Sequence, residues 1–211
     1  MSNRLCYGAT MSGEQPVRRR RLDVDARRSQ LLRLGMELFA TRAYEEVGIE
    51  EIAERAGISR GLLYHYFPTK RDFYVAVTAS AVEEVGRLTQ PRPEAAPLDN
   101  IAAGVDAYLQ YAERHAHGFL TAHRSALSGD AEVRDLVQRS RRRQAARILA
   151  LVSPNGTATP LVRLAVTGWI ALAQDTTVQW LQQRRPGRAT LAGWLVKTLR
   201  CALIAAEEAE R

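Results

Sequence analysis

From Val24 to Leu88, and again from Asn100 to Glu210, apolar side chains return every third or fourth residue, and no segment alternates apolar with polar long enough to form a strand. A chain patterned in this way folds as packed helices, so the expected fold class is all-α. The pattern breaks at QPRPEAAPLD, where Pro91, Pro93 and Pro97 fall close together, and at 128–130 (SGD), 153–160 (SPNGTATP) and 185–188 (RPGR). Proline removes a backbone donor and disfavours helix for the residue before it, which makes the first break the best linker. The expected organisation is an arm over 1–22, a helical unit over 23–88 and a larger helical unit over 98–211. Helices in the larger unit are expected at 98–116, 118–127, 131–152, 160–184 and 189–209.

Composition narrows the partners. The 211 residues are 46% hydrophobic and 25% charged, the proportions of a globular protein with a packed core. Thirty basic against twenty-three acidic residues leave +7, and all the basic residues except Lys70 and Lys197 are arginine. Guanidinium matches phosphate and carboxylate with two parallel hydrogen bonds, which favours an anionic partner. Divided at residue 90, however, the excess is +2 and +5, so net charge does not locate the binding surface. Arg18 to Arg21 form a basic cluster that reads either as a solvated tail or as an arm lying along phosphates.

Cys6 and Cys201, the only cysteines, exclude a disulfide framework or multi-cysteine metal site, and a reducing cytoplasm is the expected compartment. The first 22 residues lack the continuous apolar run of a secretory signal. Arg163, Lys197 and Arg200 interrupt the longest apolar stretches before they reach the length of a bilayer span, so no membrane partner is expected.

The smaller unit carries the chemistry. Leu31, Leu34, Gly35 and Leu38, with Leu32 and Phe39 beside them, make the stripe of a helix from about Asp25 to Thr41. Ile49, Ile52, Ala53 and Ala56 mark a short second helix with Gly48 at its start. In the turn Ala56-Gly57-Ile58-Ser59, glycine suits the left-handed conformation that ends a helix and serine suits the cap of the next. Two helices joined by such a turn form a helix-turn-helix. On the following helix, steps of about 100° place Arg60, Gly61, Tyr64 and His65 on one arc and Leu63, Tyr66 and Phe67 on another. One face packs, and the other suits a major groove. Arg60 reaches base acceptors, Gly61 allows close approach, and Tyr64 and His65 donate to phosphate oxygens. Lys70 opens a fourth helix, Lys70 to Leu88, whose free N–H groups would seat a phosphate beside its ammonium.

The run Ile52-Ala53-x-x-Ala56-Gly57-Ile58-Ser59-Arg60-Gly61-x-Leu63-Tyr64-His65-Tyr66-Phe67-x-x-Lys70, preceded by Leu38-Phe39 and Tyr44, resembles the DNA-binding domain of TetR-family transcriptional regulators over about residues 25–75. Relatives usually carry Ser or Thr where Gly48 stands and Gly where Ala43 precedes Tyr44. The glycine cap lacks the hydroxyl that would touch a phosphate. Leu62 stands where relatives often have a small polar residue, and a leucine there would pack on a thymine methyl. Face and resemblance together give the expected DNA-contacting set Gly48, Ser59, Arg60, Gly61, Leu62, Tyr64, His65, Tyr66 and Lys70.

For the larger unit the resemblance implies a helical ligand-binding and dimerisation domain whose last two helices pair across a two-fold axis. Leu191, Leu195, Leu199, Ala202 and Ala206 form one stripe, widened by Val196 and Leu203 on one side and by Trp194, Cys201 and Ala205 on the other. That is more apolar surface than one neighbour covers. The expected dimer interface is Leu164, Gly168, Leu172, Leu191, Trp194, Leu195, Leu199 and Ala202. Polar and aromatic groups interrupt other apolar faces and describe a pocket for a partly apolar small-molecule effector: Tyr108, Tyr111, His115, Phe119, His123, Trp169, Asp175 and Thr176, with Thr177 beside them.

His115 and His117 fall on different helix faces, with no carboxylate at ligand spacing, so no metal is expected. No nucleophile elbow, phosphate-cradling glycine loop or catalytic dyad is present, so neither a cofactor nor catalysis is expected. The resulting expectation is a homodimeric repressor that leaves a palindromic double-stranded operator when a ligand binds. A ligand-independent regulator, an activator, a helical enzyme and an interaction module are the alternatives.

Overall fold

The computed structural model describes residues 24–127 and 130–210; the arginine cluster at 18–21 and the rest of the arm lie outside them. Nine α-helices and no strand occur among the described residues: α1 Val24–Thr41, α2 Ile49–Arg55, α3 Arg60–Tyr66, α4 Lys70–Leu88, α5 Pro97–Arg114, α6 Ala116–Leu127, α7 Ala131–Val152, α8 Pro160–Gln183 and α9 Arg188–Ala209.

Local chemistry sets most of these boundaries. Gly57 has φ +64°, which a side chain would strain, and the chain re-enters helix at Ser59, whose hydroxyl accepts from Leu62 N at 3.2 Å. Thr69 and Asp72 cap α4 reciprocally: Asp72 N donates to the Thr69 hydroxyl, and the Asp72 carboxylate accepts from Thr69 N, both at 3.0 Å. The head formed by α1 to α4 closes over Leu31, Val47, Ile52, Leu63, Phe67 and Phe73, all buried, with Phe67 and Phe73 edge to face at 5.0 Å.

The segment between α4 and α5 is an ordered turn. Buried Asn100 accepts from Arg92 N at 2.7 Å and donates to the carbonyls of Arg92 and Ala95 at 3.0 Å. Beyond it, α5 to α9 enclose a second core built on Leu109, Val166, Ile170, Leu195 and Leu199. The head is not separate from this bundle, because α1 and α4 pack on α6 and α7. At Gly118 on α6 an added Cβ would lie 3.1 Å from the Phe39 carbonyl oxygen, a tight approach that favours glycine.

The last two helices correct the expected interface. Leu191, Leu195 and Leu199 are 3%, 0% and 1% exposed, facing α5 and α8 inside one protomer, and Ala202 is half-buried. The stripe read as subunit-facing is the protomer's own core. Leu164, Leu172 and Trp194 stay 68%, 40% and 46% exposed, with Gly168 exposed between the two leucines. Despite Lys197 and Arg200, α9 is long and apolar enough to cross a membrane by length and composition alone, a test that helices of packed cores also pass. At the α8–α9 turn, Trp180 donates to the Pro186 carbonyl at 2.7 Å, and Arg188 reaches Asp106 at 3.1 Å and Glu113 at 3.2 Å on α5.

Candidate DNA-reading surface and inter-helix cavities

The offered face of α3 carries Arg60, Gly61, Leu62 and His65, all exposed, while Leu63 and Phe67 are buried beneath it. Tyr64 and Tyr66 are half-buried against the head's core, so each presents only an edge. Nothing lies within 4 Å of a Cβ built on Gly61, so any crowding there comes from an external surface. Ser59 uses its oxygen lone pair on Leu62 N and keeps its proton for an outside acceptor. Gly48 caps α2 with extended backbone and no side-chain bond, as the sequence required.

Two features of this face were not legible in the sequence. Arg60 pairs with Glu50 of α2 at 2.9 Å and lies 5.5 Å from the centre of the Tyr64 ring. Hydrogen bonding to Tyr64 and the charge of Glu50 hold the guanidinium firmly protonated. Lys70 does not stand free: its ammonium sits 4.4 Å over the Tyr44 ring and 3.5 Å from the Glu45 carbonyl. The phosphate seat expected at the start of α4 is correspondingly narrower. Thr69 N and Asp72 N are already used in the cap, and a carboxylate stands beside them.

Two cavities lie between the helices. The first, of about 120 Å³, is walled by Phe39 of α1, Tyr74 and Val77 of α4, and the expected residues Tyr108, Tyr111, His115, Phe119 and His123. The second, of about 80 Å³, runs toward the α4–α5 turn and is lined by Ile101, Arg147, Ile148 and Trp169. Trp169, expected as a ligand contact, lines only this second space, and its indole N–H is spent on the Leu195 carbonyl at 2.8 Å. Asp175 and Thr176 line neither. Asp175 is exposed and accepts from Gln179, because one residue's rotation along α8 turns it 100° away from Gln174, which does line both cavities. Buried Thr177 donates to the Ala173 carbonyl at 2.7 Å.

Burial governs the titratable walls. It pushes the phenols of Tyr108 and Tyr111 upward, so both remain neutral donors. It lowers His115, with Arg114 adding to the effect and Glu84 opposing it, and it lowers His123, with Arg141 adding and Asp175 opposing. Met36, Phe39, Tyr74, Gln144 and Gln174 were missed as cavity residues. Phe39 read as core by its periodicity, and only packing distinguishes a core position from a cavity wall.

An exposed basic recognition helix on a helix-turn-helix head, joined to a hollow helical bundle, defines a DNA-binding transcription regulator rather than an enzyme. Comparison with known proteins agrees. Residues 31–77 match the model of bacterial regulatory proteins of the tetR family, and residues 97–201 match the tetracyclin repressor-like C-terminal domain. The chain therefore belongs to the TetR family. It is 28% identical over 169 residues to the HTH-type transcriptional activator FasR of Mycolicibacterium smegmatis, spanning 79% of this chain and 77% of FasR. It is also 28% identical over 165 residues to the HTH-type transcriptional repressor KstR of Rhodococcus jostii, spanning 75% and 74%. A TetR-family transcriptional regulator from Streptomyces coelicolor superposes with a TM-score of 0.80 at 31% identity, covering 88% of this chain and 83% of that one.

Proposed function

We propose that the protein is a homodimeric repressor that works in the cytoplasm, occupies a palindromic operator and leaves it when a partly apolar small molecule enters the bundle. One observation carries this reading: the first cavity is walled at once by α1 and α4 of the reading head and by α5 to α8 of the larger unit. A ligand wedged there bears directly on the helices that aim α3. Ligand and DNA then favour different shapes of one molecule, which is the physical requirement for release.

The exposed strip of Leu164, Gly168 and Leu172 on α8, with Trp194 on α9, supports a two-fold pairing of these helices. In such a dimer the recognition helices enter successive major grooves about 34 Å apart. The DNA-contacting residues are Ser59, Arg60, Gly61, Leu62 and His65, with the edges of Tyr64 and Tyr66, the backbone at Gly48 and the Lys70 ammonium.

Activation is the second reading, favoured by the name of the relative FasR. A gel shift on the DNA flanking the protein's own gene, at several salt concentrations, tests the assignment, because phosphate contacts make log affinity fall linearly with log salt. No salt-dependent, sequence-preferring complex would overturn it. A reporter fused to the bound promoter separates the two signs of control: deleting the regulator raises expression under repression and lowers it under activation.

A further inference from the structure

Tyr108, Gln144 and Gln174 line both cavities, so the two spaces lie against the same three side chains. The walls continue in register across them. On α7 the lining runs Val137, Ser140, Gln144, Arg147, Ile148 and Leu151; on α5 and its C-cap it runs Ile101, Gly104, Val105, Tyr108, Tyr111 and His115. Fourteen steps of about 1.5 Å along the chain on each side give a passage about 20 Å long. Its two parts, about 120 and 80 Å³, are each smaller than the roughly 150 Å³ that holds a single benzene ring. A slender chain fits such a space, and a broad ring system does not.

Besides the Tyr74 hydroxyl, Tyr111, His115, His123 and Ser140 in the first cavity, polar groups gather at two places along this passage. No Asp or Glu lines it, among the described residues. At the α4–α5 end stands half-buried Arg147, which donates one terminal nitrogen to the Gly86 carbonyl at 2.5 Å and meets no carboxylate in the described ion pairs. Its remaining edge presents two N–H groups side by side, the geometry that receives a carboxylate. About one helical turn further in, the buried Tyr108 hydroxyl has no hydrogen-bond partner; Thr177 stands beside it without completing one. At the same point Arg141 holds the Gln174 amide oxygen, which leaves the amide N–H₂ of Gln174 for the passage. Two donors converge there, and the Tyr108 hydroxyl among them has no partner.

We propose that the two cavities are one effector site for an unbranched monocarboxylate. Its head lies on Arg147, its chain carries an oxygen acceptor where it passes Tyr108 and Gln174, and its apolar tail ends among Phe39, Val77 and Phe119. The proposal rests on the ligand-responsive reading above and gives that ligand its chemistry. It also supplies a lever: a head seated on Arg147 competes with the Gly86 carbonyl for the guanidinium, in the last turns of the helix that leads to the reading head.

Calorimetry on the full chain with hexanoate, decanoate, 5-oxodecanoate and methyl decanoate tests it. The acids are expected to bind more tightly as the chain lengthens, and 5-oxodecanoate should exceed decanoate by about tenfold, one hydrogen bond's worth. Tyr108→Phe should erase that preference. Arg147→Gln should weaken the acids by about tenfold to a hundredfold and leave the methyl ester unchanged. Gln144→Trp, which plugs the junction, should cancel the gain from hexanoate to decanoate. Equal binding of acid and ester by the unaltered protein overturns the head assignment without relying on any variant, and loss of the oxo preference nowhere but in unfolded protein overturns the role of Tyr108. Release of operator by some other ligand while these acids fail to bind would sink this proposal and leave the function standing; binding as expected without any change in operator affinity would uphold the site and sink the switch.

Discussion

The Arg71 guanidinium donates to the Asp130 carboxylate at 2.9 Å, and its other terminal nitrogen reaches Glu132 at 3.1 Å. Arg71 lies in the first turn of α4, and Asp130 caps α7, accepting from the N–H groups of Glu132 and Val133. The two ion pairs of Arg71 thus tie the reading head to the effector bundle at the end nearest the DNA-reading surface, while Arg147 and Gly86 tie the same two helices at the other end.

Asp130→Asn should keep the cap and lose the charge. Burial opposes ionisation of Asp130, but the Val133 N–H, Arg71 and the Glu132 N–H outweigh it and hold the carboxyl below its usual range. A depressed carboxylate contributes stability above its unfolded pKa and loses it as pH falls through the folded value. Acid-unfolding curves of wild type and variant should therefore differ above about pH 4 and converge below it. At neutral pH the stability difference should stay within about 1 kcal/mol, as for a partly exposed pair. The larger effect should be a weaker ligand-induced change in operator affinity.

Arg60→Ala should cost about 1 to 3 kcal/mol of operator affinity and relax base preference, whereas Lys70→Ala should weaken all sequences alike and reduce the salt slope by about one. Glu50→Gln, which removes the carboxylate now paired with Arg60, should raise affinity for DNA. Quantitative gel shifts with specific and scrambled duplexes check all three.

Leu164→Glu combined with Trp194→Glu should yield folded monomers by light scattering, since both side chains are exposed in the protomer. Leu195→Ala should behave differently. It removes a fully buried side chain and should cost about 2 to 5 kcal/mol in denaturant unfolding without selectively releasing monomers.

His115 and His123 are lowered chiefly by burial, so the folded state prefers them neutral. A lowered histidine makes the unfolded chain bind more protons between the folded pKa and about 6.5, so stability is complete above that value and declines as pH falls through the window. Melting temperatures at pH 7.5 and 5.5 should show the decline. His123→Gln should reduce it, and an equal drop in wild type and variant would contradict the assignment for His123.

How much of this was visible beforehand depended on the range of the interaction. The bends and caps of the head follow from neighbours a few residues apart: Gly57 because a left-handed residue favours glycine, Ser59 because its oxygen reaches an N–H three residues on. Those relations are written in the order of residues, and the reading face of α3 follows from them. The pairing of Arg60 with Glu50 was not visible, because a charged residue in a polar turn has several partners within reach.

By itself the sequence determined the all-α class, the helix-turn-helix and the amphipathic stripes of α8 and α9. Only the tertiary structure decided what each stripe faces. Helical periodicity tells which side chains share a face and carries no information about the neighbour, so Leu191, Leu195 and Leu199 read equally well as interface or core until α5 and α8 are seen to cover them. The cavity belongs to the same class of fact. Phe39 and Tyr74 meet Tyr108 and Phe119 around an open space because four helices from two parts of the chain fail to close completely, and an unfilled volume is a property of packed surfaces that no single segment encodes.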